Sequence, residues 1–116
     1  MDTCFWLPKM CEDPVKYSGA WNFEPNPESI IAVKEVVEKV IKYYKKGTWK
    51  NTSNPNELHE AKLLNLDTTK ARFLLGWQPM LNVDEATKMT VEWYKGYHFE
   101  EMFKFSTQQI EEFLER

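Results

Sequence analysis

The chain has 116 residues, enough for one domain and little more, so a single domain over residues 1–116 is expected. Its 42% hydrophobic and 15% aromatic residues supply a core and exclude a disordered chain. A net charge of −3 gives no electrostatic basis for binding nucleic acid. Lys and Glu interrupt every apolar stretch, and the start of the chain has no basic run followed by an apolar one. Neither a membrane span nor a signal peptide is expected, which points to the cytoplasm.

Residues 1–13 are ambiguous: Phe5, Trp6 and Met10 suit a helix face, but Pro8 removes a backbone donor from its middle. Cys4 and Cys11, seven residues apart, would share one face of such a helix as reduced structural thiols. Ser18–Phe23 reads as a buried strand closed by Pro25 and Pro27. Ile30, Val33, Val37, Val40 and Tyr44, widened by Val36 and Ile41, predict an amphipathic helix over residues 28–45. Asn26 would cap it, Pro27 would open it and Gly47 would end it.

Thr48–Lys50 reads as a short strand, residues 51–56 as a polar loop, and Glu60–Leu66 as a second extended segment. Asp67 can cap a helix over Thr68–Leu75 that Gly76 stops. Asn82 and Glu85 form a capping box for a helix running to about Lys95, with Leu81 stapled onto Ala86. Ser106 and Gln109 repeat the device, with Phe105 against Ile110. The predicted fold is therefore an α/β unit, mainly helical, with four or five helices and a few short strands. Its sheet is too small to stand alone.

Independent chemistry is not visible in the chain. The four glycines, at 19, 47, 76 and 96, are too dispersed for a phosphate-cradling loop. His59 and His98 have no second ligand at metal spacing, and there is no GxSxG elbow. The carboxylates alternate with lysines, as on a solvated surface.

The stretch His59-Glu60-Ala61-Lys62-Leu63-Leu64-Asn65-Leu66-Asp67-Thr68-Thr69-Lys70-Ala71 continues into Leu74-Leu75-Gly76-Trp77-Gln78-Pro79. It resembles the E-x-x-x-L-x-x-D-x-x-K-A…L-G-W-x-P signature of nucleotide-sugar dehydratases and epimerases of the extended short-chain dehydrogenase/reductase family. Upstream, Ala20-Trp21-Asn22-Phe23-Glu24-Pro25 is similar to that family's A-W-N-F-G-P segment. The His-Glu-Ala variant, Trp49 and the Val91-Glu92-Trp93-Tyr94 helix end resemble the CDP-glucose 4,6-dehydratase branch. The likeness extends over roughly residues 10–115.

The resemblance implies a C-terminal substrate-binding lobe whose Rossmann half is absent. In the family that half carries NAD and the catalytic Tyr-x-x-x-Lys pair; no such pair occurs here, so no cofactor, catalytic residue or metal is expected in this chain. By the same resemblance Glu60 accepts the ribose hydroxyls of a CDP-sugar, a charge-assisted contact. His59 could contact the nucleotide, and Lys50 could reach its phosphates. Asp67, Lys70 and Ala71 are assigned to a cap and to packing, and Trp77 and Pro79 to core and turn. Two positions depart from the pattern. Glu57 stands where relatives place a phosphate-binding arginine, and Glu24 where they keep glycine. The expected partners are a nucleotide sugar and either a second copy of the chain or a separate Rossmann half. The alternative is a self-associating interaction scaffold derived from the lobe.

Overall fold

The computed structural model describes residues 2–54, 65–98 and 101–116. The order is α1 (Asp2–Glu12), α2 (Pro14–Tyr17), a 3-10 turn (Pro27–Ser29), α3 (Val33–Tyr44), a π-helical turn (Ala71–Leu75), α4 (Val83–Gly96) and α5 (Met102–Leu114). The mainly helical lobe is as expected. Among the described residues there is no strand, so the short strands anticipated at Ser18–Phe23 and Thr48–Lys50 are corrected to coil. The predicted segment Glu60–Leu66 lies largely outside the described residues. Among the described residues, no helix is long and apolar enough to cross a membrane.

The chain divides into two compact units: Asp2–Glu24 with Trp49–Gln78, and Pro25–Thr48 with Pro79–Arg116. In the first of these, α1 is a continuous helix with Pro8 inside it. The proline removes the donor that would close onto the Cys4 carbonyl. Cys4 and Cys11 are free, exposed thiols on this helix. Asp13 caps α2 by accepting the Lys16 N–H at 3.1 Å. The core consists of Ala71, Leu75 and Trp77, with Trp6, Met10, Tyr17, Trp21 and Phe23 packed against it. The Phe23 ring meets Trp77 edge-on, centroids 5.2 Å apart.

In the other unit, the helix predicted over 28–45 is shorter. Pro27 opens a single 3-10 turn closed by Ser29 N–H onto Asn26 O, and the chain then runs extended to Ala32. The adjacent β-branched Ile30 and Ile31 favour that extended backbone over a helical one. The helix ends at Lys45, which adopts the left-handed conformation (φ 63°), two residues before Gly47. Its apolar stripe is divided: Val36, Val37 and Ile41 are half-buried, whereas Val33, Val40 and Tyr44 are exposed.

Helix α4 starts on the predicted capping box, with Glu85 N–H to Asn82 Oδ1 at 2.9 Å and Asn82 N–H to Glu85 Oε2 at 3.0 Å. It buries Met89 and Val91. Helix α5 begins at Met102, one turn earlier than its predicted cap. Ser106 and Gln109 therefore lie mid-helix and join α5 to α4. The Trp93 indole N–H donates to Ser106 Oγ at 3.0 Å, and the buried Gln109 amide donates to Met89 O at 2.9 Å.

Candidate functional site

The signature residues in the described structure fold back on the Ala20–Glu24 segment and hold it. Asp67 accepts the Thr69 N–H at 2.9 Å, a local cap that starts the turn. Hydrogen bonds from Thr69 hold its carboxyl below the usual carboxylate range. The turn is π-wound, and Gly76 closes it with φ 68°, its N–H on Ala71 O. Lys9 caps the same end by donating to Leu75 O at 3.2 Å.

Three contacts then tie this turn to the upstream segment. Lys70 Nζ donates to Ala20 O at 2.9 Å and lies 4.2 Å from the centroid of the Trp21 ring. Asn22 Nδ2 donates to Asp67 O at 3.3 Å. The Glu24 carboxylate accepts the Leu66 N–H. Trp21 and Phe23 turn inward while Ala20 and Asn22 face out, so the segment expected to be a buried strand is an extended stretch with one face exposed. The segment is no strand because a lysine ammonium, rather than a neighbouring backbone, takes the Ala20 carbonyl.

Asp67 as cap, Ala71 as fully buried packing and Trp77 as core agree with their sequence assignments. The bonds made by Lys70, Asn22 and Glu24 have no local sequence signal: Glu24, a departure from the glycine of the similar segment, accepts from a residue 42 positions away. Of the proposed ligand residues, Lys50 is exposed in the same unit, whereas His59 and Glu60 lie outside the described residues. Glu57 lies outside them too.

The other unit contains an ionic cluster and an open cleft. Lys39 Nζ and Asp84 Oδ1 are 2.8 Å apart, and the Tyr43 hydroxyl donates to Asp84 Oδ2. The Lys39 hydrogen bond, then that from Tyr43, holds the Asp84 carboxyl below its ordinary range; the same bonds raise Lys39 and Tyr43. The Asn82 N–H, then Arg116 at 2.9 Å, lowers Glu85. A cleft of about 380 Å³ between α4 and α5 is lined by Phe105, Gln108 and Glu112 among others.

The described residues form a helical lobe in which contacts from Leu66, Asp67 and Lys70 hold the Ala20–Glu24 segment.

Comparison with known proteins finds the chain similar to part of a dehydratase and of an epimerase that act on nucleotide sugars. It is 29% identical over 107 residues to CDP-glucose 4,6-dehydratase of Salmonella typhimurium (strain LT2), covering 91% of this chain and 30% of that enzyme. It is 35% identical over 72 residues to UDP-glucuronate 4-epimerase of Thermodesulfobacterium geofontis, covering 60% of this chain and 20% of the epimerase. The chain thus spans less than a third of either relative's length. No family model and no solved structure matches.

Proposed function

We propose that this chain is a nucleotide-sugar-binding lobe of the 4,6-dehydratase type, taking a CDP-glucose-like ligand and contributing no hydride chemistry of its own. Glu60 accepts the ribose hydroxyls, with His59 and Lys50 beside the nucleotide. NAD and the proton-transferring groups belong to a separate Rossmann half. The observation that carries the reading is the triple tie of Lys70, Asn22 and Glu24 between the two family-like segments. A binding lobe needs a rigid frame from which its ligand residues project, and here the signature residues build one. The likeness to CDP-glucose 4,6-dehydratase supports the choice of ligand.

Calorimetric titration of the full chain with CDP-glucose, CDP and UDP-glucose tests this. Heat is expected with CDP-glucose, and Glu60→Ala is expected to weaken it by about tenfold or more, the value of one charge-assisted contact. Absence of heat with all three nucleotides, or equal binding by Glu60→Ala, overturns the assignment. With NAD and CDP-glucose supplied together, no turnover is expected from this chain alone.

A further inference from the structure

Helix α5 has two apolar faces and uses one. Phe105, Gln109 and Phe113 belong to the face turned to the unit's interior, Gln109 and Phe113 being buried. Phe103, Thr107, Ile110 and Leu114 follow at spacings of four, three and four, a seam about 130° around the helix from that face at 3.6 residues per turn. Phe103 is 80% exposed, Ile110 47% and Leu114 51%. The Thr107 hydroxyl donates to Phe103 O at 2.8 Å, so it brings no unpaired polar group to the seam.

The charges on one edge select the occupant. Lys104 and Glu111 each follow a seam residue and stand seven apart, on the same edge. When a second copy of α5 is laid antiparallel, Phe103 meets Leu114 of the second copy and Thr107 meets its Ile110. Lys104 then faces Glu111 of the second copy, and the twofold axis repeats the pair. A parallel pair instead brings Glu111 beside Ser106, which offers no countercharge.

We infer that α5 mates antiparallel with α5 of a second copy of this chain, forming a homodimer through Phe103, Ile110 and Leu114. The contact is independent of nucleotide-sugar binding. It is much smaller than a standard interface of about 1,600 Å², so the dimer is weak and forms with rising concentration.

Sedimentation velocity of the full chain from micromolar to millimolar concentration reads this directly. The weight-average mass is expected to climb from 13.8 kDa toward twice that value. Ile110→Lys is expected to stay monomeric throughout, with an unchanged far-ultraviolet dichroism spectrum. Lys104→Glu is expected to raise the dissociation constant by about tenfold, since it opposes Glu111 with a like charge in both symmetry-related pairs. Lys104→Glu combined with Glu111→Lys is expected to restore the parental value. These two positions are on the surface, so the exchange remains decisive if Ile110→Lys fails to fold. A concentration-independent monomer, self-association that survives Ile110→Lys in folded protein, or a double variant that does not recover overturns the inference.

Discussion

The Lys70 side chain joins two kinds of attraction in one place: its ammonium bonds the Ala20 carbonyl and lies over the Trp21 ring. Trp21 is itself pinned by its indole N–H on Tyr17 O at 2.8 Å. Removing the charge while keeping the stem should therefore loosen Ala20–Glu24 without emptying the core. Lys70→Met is expected to lower stability by about 1 kcal/mol, a typical sum for an exposed cation–π contact and a hydrogen bond. Urea unfolding followed by near-ultraviolet dichroism, which reports the packed tryptophans, checks this. If nucleotide binding is present, the same variant is expected to weaken it, because the frame and not a ligand group has been altered.

At the scale of elements, α4 depends on its first turn. Asn82→Ala breaks the reciprocal capping box and is expected to cost about 1 kcal/mol in urea unfolding. Asp84, two residues on, binds Lys39 and Tyr43 of α3. Its folded-state pKa is depressed, so its contribution is complete above the unfolded carboxylate value of about 3.9 and is lost as pH falls below it. Urea midpoints measured from pH 6 down to pH 2 are expected to fall less steeply in Asp84→Asn than in the parent. The caps at Asp67 and Asn82 and the stop at Gly76 were legible in the sequence because each is made within a few residues. Ser106 and Gln109 have the same local pattern, yet α5 starts earlier and these side chains bond to α4. The end of α3 at Lys45 was likewise hidden, since the glycine signal lies two residues further on. The Glu24–Leu66 and Lys70–Ala20 ties depend on contacts across more than forty residues, which no local spacing reports.

For the whole molecule, two compact units with small cores imply separable stability. Ala71, Leu75 and Trp77 are the buried apolar residues of one; Met89, Val91 and Phe113 are those of the other, among the described residues. Trp77→Ala is expected to cost about 3–5 kcal/mol, most of what so small a core can supply. Dichroism should then lose the aromatic signal of the first unit while most of the α3–α5 helicity remains; complete loss of helicity would show that the units unfold as one. Gln109 and Trp93 have a further consequence. Apolar seams let a helix roll about its own axis at little cost, but these two donors act as stops. A roll of about 100°, one residue's turn, would hide Phe103 and Ile110, but it would strand an amide and an indole at about 1–3 kcal/mol each. The greasy flank of α5 is therefore held outward by the polar groups behind it.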